Sequence, residues 1–320
     1  MSVLSQPQFH DEAKAFQFLE SIVWANGVVC PHCGVVGARV YDLSGVRGKP
    51  SKKSPEGAVR FGLKKCGECR KQFTVKVGTV FEHARMPLHK MLQAVHLIIS
   101  SKKGISSHQL HRILEVQYKS AWFLAHRIRE AMRSGELAPF GGNGGIVEVD
   151  ETFIGRIKGA PVKRAFHHKM KVLALVDRDT GKARTMVIDN VNADTLMPIV
   201  LANVAREATI MTDEHSGYRH IKAHFAGHGM TSHGAGQYVD FNDRTIHSNT
   251  VEGYFSIFKR GMRGVYQHCG EQHLHRYLAE YEFRYNHRIA NGFDDRQRSR
   301  EALGGIAGKR LTYRRPDVTA

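Results

Sequence analysis

A chain of 320 residues with 42% hydrophobic residues can bury a sizeable core, and five cysteines are too few for the disulfide scaffold of a small secreted domain. Forty-seven Lys and Arg against 30 Asp and Glu leave a net charge of +17, which favours a polyanionic partner through counterion release and points first to nucleic acid. The N-terminal "MSVLSQPQFHDEAKAF" has no apolar signal core and the longest apolar run, around "AVHLIIS", is far short of the ~20 residues of a membrane span, so a cytoplasmic protein without membrane contact is expected.

Four of the cysteines form two C-x-x-C pairs, Cys30-Pro-His-Cys33 and Cys66-Gly-Glu-Cys69. Four thiolates presented by two tight turns offer Zn²⁺ a closed tetrahedral shell. Gly34 and Gly67 suit the knuckles, and "VRFGLKK" and "KQFTVK" suit short strands beside them. A redox dithiol is the rival for a lone pair, and the doubling of the pairs argues against it. A structural zinc ribbon is therefore expected over residues 15–82, with His32 on the surface and Cys269 an ordinary thiol.

Three helical patterns follow over 83–138: "PLHKMLQAVHLIIS" opened by Pro87, "SSHQLHRILE" capped by Ser106 or Ser107, and "SAWFLAHRIREAMRSG" capped by Ser120. The short "VQYK" link has the length of a helix-turn-helix turn, in which case the third helix turns Lys119, His126, Arg127 and Arg129 toward DNA. The alternative is a small helical bundle that joins two domains.

After the breaker-rich linker "PFGGNGG" the period changes to two, in "IVEVDETFIG", "MKVLALVDRD", "ARTMVIDNV" and "ATIMTDEHSGY". The helical "NADTLMPIVLANVARE", with Asn192 as its cap, sits among these strands and predicts an α/β domain with a mixed sheet over 139–291, leaving a basic tail over 292–320. Strand alternation puts Val147 and Val149 on one face and Glu148 and Asp150 on the other. Asp213 stands just past an apolar strand. In "HSNTVEGYFSIFKRGMRG", Val251, Tyr254, Phe255, Phe258 and Met262 mark the buried face of a helix, while Glu252, Ser256, Lys259 and Arg263 share another stripe. His247 and Asn249, just before Glu252, can orient it, with helix capping the commoner role for Asn249. The run "GRIKGAPVKRAFHHKMK" after Asp150 holds six Lys or Arg, Lys163 and Arg164 among them, and no acid, as a loop lying on a phosphate backbone would.

"VDETFIG", "TDEHSGY" and "HSNTVEGYFSIFKRGMRG" resemble the three acidic motifs of bacterial insertion-sequence DDE transposases, including a Lys seven residues after the Glu. The cysteine pairs resemble the zinc ribbon of one subgroup, the insertion-sequence family numbered fifteen ninety-five. The resemblance implies a ribonuclease H-like catalytic domain behind a zinc ribbon and a helix-turn-helix-like segment. It also implies Asp150, Asp213 and Glu252 as an acidic triad for two Mg²⁺ (or Mn²⁺) ions, with Lys259 beside the scissile phosphate. Arg260, Arg263, Arg127, Arg129, Lys163 and Arg164 are the further residues expected on DNA. The implied activity is cleavage of the element's terminal inverted repeats and strand transfer to target DNA, by a homodimer or larger assembly, in the bacterial cytoplasm at the nucleoid. Two alternatives remain open at this point: a nuclease of the same fold without strand transfer, and a zinc-ribbon regulator without catalysis. So do Glu148, Glu151 and Glu214 as rival ligands.

Overall fold

The structure, a computed structural model, describes residues 2–312 apart from 38, 53, 137, 163–165, 233 and 235. The chain divides into two units, one drawn from Met1–Ser101, Ile105–Met132 and Asp295–Ala320, the other from Lys102–Gly104 and Arg133–Asp294. No helix among the described residues is long and apolar enough to cross a membrane.

The first unit opens on α1 (Glu12–Val23), capped by Asp11, whose Oδ1 accepts the Lys14 N–H at 2.8 Å. The strands β1 (Val40–Asp42), β2 (Lys64–Cys66) and β3 (Gln72–Phe73) form a small antiparallel sheet in the order β1-β2-β3. Helix α2 (Leu88–Ser100) begins after Pro87, and α3 (Ser107–Leu114) is capped by Ser106, whose Oγ accepts the Gln109 N–H at 3.1 Å. Helix α4 (Tyr118–Met132) starts three residues earlier than a Ser120 cap predicts, because Glu115 takes a left-handed conformation (φ 52°) and turns the chain sooner. Leu92, Val95, Leu110, Leu124 and Ile128 are buried, and α2 packs against α1, α3, α4 and α8.

In the second unit, β4 (Ile146–Ile154), β5 (Met170–Asp177) and β6 (Ala183–Ile188) form an antiparallel meander, followed by α5 (Ala193–Asn203), β7 (Thr209–Thr212) and β8 (Gly227–Met230). Asn192 caps α5 as expected, its Oδ1 accepting the Thr195 N–H at 3.2 Å. The sheet order is β6-β5-β4-β7-β8, with β7 parallel to both β4 and β8, so the sheet is mixed and has the ribonuclease H-like arrangement. Helices α6 (Asn249–Gly261) and α7 (Glu271–Asn286) complete the unit, and α8 (Asp295–Gly304) returns the chain to the first one.

The period-two alternation of β4 has a direct consequence. Val147 and Val149 join Leu173, Leu175 and the α5 residues Leu196 and Val200 in one core. Ile154, Val172, Ala174 and Val176 face the other way, onto Val251, Tyr254, Phe255 and Phe258 of α6 and Leu274 and Leu278 of α7. Glu148 and Asp150 therefore point to the side of the sheet that α6 covers.

Candidate active site and zinc centre

The parallel register pairs Ile146 with Thr209, Val147 with Ile210 and Glu148 with Met211. Carried two residues further, the same register brings Asp213 level with Asp150. Glu252 lies in the first turn of α6, one helical turn before the buried Phe255, and its Oε1 accepts from Ser248 Oγ at 3.2 Å. Asp150 feels both of the other acids. Burial, then the charges of Glu151, Asp213 and Glu252, push the Asp150 carboxyl up to about 8, against the pull of the Glu151 N–H, which donates to Asp150 Oδ1 at 2.7 Å. Lys259 is half-buried, and burial holds its ammonium below the usual lysine range with help from Arg263 and Lys169, while Asp150 and Glu252 pull the other way. Its Nζ sits 5.9 Å from the Phe255 ring centroid. Arg260, further along α6, and Arg263, in the π-helical turn Met262–Tyr266 that continues it, are exposed.

The neighbouring acids are engaged elsewhere. Glu151 accepts from the buried Tyr218 hydroxyl and lies 3.3 Å from His215 Nδ1. The Gly234 N–H donates to Glu214 Oε1 at 2.7 Å. Glu148 is fully buried and holds Arg178, Thr250 and the Val251 N–H, a set of contacts that alternation alone does not reveal. Ser248, not Asn249, is the residue at the α6 N-cap.

Two expectations for DNA contact meet a different environment. Arg127 and Arg129 are 8% and 1% exposed, and His126 is 1% exposed, because α4 is enclosed on more than one side within its unit. The Arg127 guanidinium lies 4.7 Å from the Phe123 ring centroid, and burial lowers its pKa. These side chains are part of the unit's interior, not of a phosphate-binding face. Lys119 on the same helix is exposed. Lys163 and Arg164 lie outside the described residues.

In the first unit, Cys30, Cys33, Cys66 and Cys69 come together with their sulfurs all within 4.8 Å, the only such metal-ligand group among the described residues. Cys30 Sγ is 3.7 Å from Cys69 Sγ, and Cys33 Sγ is 3.7 Å from Cys66 Sγ. Zn–S bonds of about 2.3 Å in a tetrahedron place sulfurs about 3.8 Å apart, so the cluster fits zinc. Each knuckle ends on a left-handed residue, Gly34 (φ 77°) in one and Arg70 (φ 58°) in the other. The N–H groups of Cys69 and Glu68 lower the Cys66 thiol to about 7. Cys33 is pushed up to about 12: the Val35 N–H pulls it down, but burial and the three other thiols outweigh that pull.

Two family descriptions match the chain, the transposase zinc-ribbon domain over residues 10–72 and the ISXO2-like transposase domain over residues 143–286. An uncharacterized protein in transposable element ISH50 of Halobacterium salinarum is 27% identical over 302 residues, which cover 86% of this chain and 91% of that one. A chain of the cryoEM structure of the simian T-cell lymphotropic virus intasome in complex with PP2A regulatory subunit B56 gamma aligns at 14% identity. That alignment spans 54% of this chain and 63% of the other with a TM-score of 0.27, a likeness too slight to bear on the fold.

Proposed function

Given that the chain belongs to the insertion-sequence DDE transposases in which an ISXO2-like domain follows a zinc ribbon, we propose that it cuts the ends of its own element and joins them to target DNA. Asp150, Asp213 and Glu252 are the acids of this reading, and Lys259 the base that meets a phosphate beside them. The observation that carries it is the buried Asp150 carboxyl, pushed up to about 8 by burial first and then by the charges of Glu151, Asp213 and Glu252, with Lys259 near enough to feel Asp150 and Glu252. Such a donor set fits hard divalent cations, since oxygen ligands crowded together without counter-charge repel. Two Mg²⁺ (or Mn²⁺) ions bound by Asp150, Asp213 and Glu252 would supply activation of the attacking hydroxyl and charge stabilisation at the leaving oxygen.

The chain's own groups do the rest. Lys259 holds the phosphate near the acids. Exposed Arg260 and Arg263 extend the grip along the backbone, and Lys163 and Arg164 complete it by sequence position. Zinc, held by the four cysteines, folds the ribbon, which contributes to DNA binding. Concerted cutting of two ends calls for at least a dimer on DNA, and such an enzyme works at the bacterial nucleoid.

Incubating the full chain with Mg²⁺ and a duplex carrying the element's end separates the readings. Nicked ends and joined products support transposition. Nicks without joining favour a nuclease of the same fold, and binding without cleavage favours a regulator.

A further inference from the structure

Glu148 shares a strand face with Asp150, yet its chemistry is spent on holding α6. Its Oε1 accepts from Arg178 Nε at 2.5 Å and from Thr250 Oγ1 at 2.8 Å, and its Oε2 accepts the Val251 N–H at 2.8 Å. Arg178 directly follows β5 and reaches the same segment: Nη1 donates to the Thr245 carbonyl at 2.6 Å and Nη2 to the His247 carbonyl at 2.6 Å. His247 Nδ1 lies 2.9 Å from Nη2. One buried carboxylate and one guanidinium thus tie residues 245 to 251, which end directly before Glu252, to the sheet that carries Asp150.

A pair of this kind is a poor source of stability, because desolvation offsets most of the Coulomb attraction and apolar replacements are often as stable. Its effect is geometric. Glu148 satisfies a free N–H in the first turn of α6 and places negative charge at the positive end of the helix dipole. The helix start is fixed in register and rotation, and the direction of the next side chain but one after Thr250 follows from it.

We infer that Glu148 and Arg178 are positioning residues that clamp the first turn of α6 and so set where the Glu252 carboxylate stands relative to Asp150. This rests on the reading of Glu252 as the third acid. Displacement of a catalytic group by about 1 Å can cost a hundredfold in rate, so a loosened clamp acts on chemistry before it acts on DNA binding.

The test uses the full chain and three variants, Glu148→Gln, Arg178→Lys and Thr250→Val, with wild type and Asp150→Asn as references. Melting temperature and affinity for an end-containing duplex without divalent cation are measured beside the cleavage rate over a Mg²⁺ titration. The clamp predicts duplex affinity within about twofold of wild type, a maximal cleavage rate lower by about tenfold or more, and a higher Mg²⁺ concentration for half-maximal cleavage. Thr250→Val removes a single hydrogen bond at constant size, so it keeps the fold and gives a smaller shift in the same direction; it decides the matter if Glu148→Gln fails to fold. Wild-type rate and Mg²⁺ dependence in Thr250→Val and Arg178→Lys, beside an inactive Asp150→Asn, overturn the clamp alone. A wild type that does not cleave overturns the reading of Glu252 and the clamp with it.

Discussion

Asp150 is the residue on which electrostatics bears most heavily. Burial and three neighbouring carboxylates raise its pKa to about 8, well above the ordinary carboxylate range. A raised acid pKa means that the native state binds more protons than the unfolded chain between the two values, so stability falls as pH rises from about 4 to about 8. Asp150→Asn removes that penalty. In Mg²⁺-free buffer at pH 8.5 the variant should melt a few degrees above wild type, with the gap closing toward pH 4, and Mg²⁺ should stabilise wild type more than the variant. Superimposable melting curves at every pH would contradict the crowding of charge at this carboxyl. The order and type of the acids are visible in "VDETFIG", "TDEHSGY" and "NTVEGYF", but the difference between Glu148 and Asp150 is not. Both lie on one strand face, and only the partners Arg178, Thr250 and Val251 distinguish them, from residues up to 103 positions away. Arg127 and Arg129 show the converse: a basic helix reads as solvent-facing until its neighbours are known.

At the scale of elements, α6 was legible because its apolar spacing matches the face it buries on β5 and α7. Edge strand β8 was not, since "GHGM" has no β-branched residue and two glycines, both of which sit against β7: a Cβ at Gly227 would meet Thr209 Oγ1 at 2.9 Å. Gly261, the last residue of α6, is similarly constrained, because a Cβ there would fall on the Tyr281 hydroxyl and lie 2.8 Å from the Lys103 carbonyl. Alanine favours a helix by ~1 kcal/mol over glycine, but overpacking costs ~1–3 kcal/mol. Gly261→Ala should therefore lower the denaturation midpoint, and adding Tyr281→Phe should restore part of the loss; a stabilised single variant would show that α7 yields freely. The ribbon is a separate case: among the described residues, the cluster around its cysteines buries Cys30, Cys66 and Phe73, with a fringe that includes Trp24, Val28 and Val40. So small a core depends on its metal. Cys66→Ser should lose zinc by elemental analysis and open the ribbon to protease while the ISXO2-like domain keeps its melting transition. Full zinc content in that variant would remove Cys66 from the ligand set.

The whole molecule joins a net charge of +17 to a patch of acids, and the two serve different steps. On the proposed function, long-range positive charge would draw DNA in and make its binding depend steeply on salt, whereas Asp150, Asp213 and Glu252 would act locally and repel phosphate until cations intervene. Grip and chemistry should therefore separate in one substitution. Glu252→Gln keeps the side chain's size and removes a charged metal ligand. The direct measurement is cleavage and end binding by this variant on one duplex, in Mg²⁺, at fixed salt. The expected result is cleavage reduced by about a hundredfold or more with binding equal to or tighter than wild type. Wild-type cleavage by Glu252→Gln would show that Glu252 is not the third acid of the site.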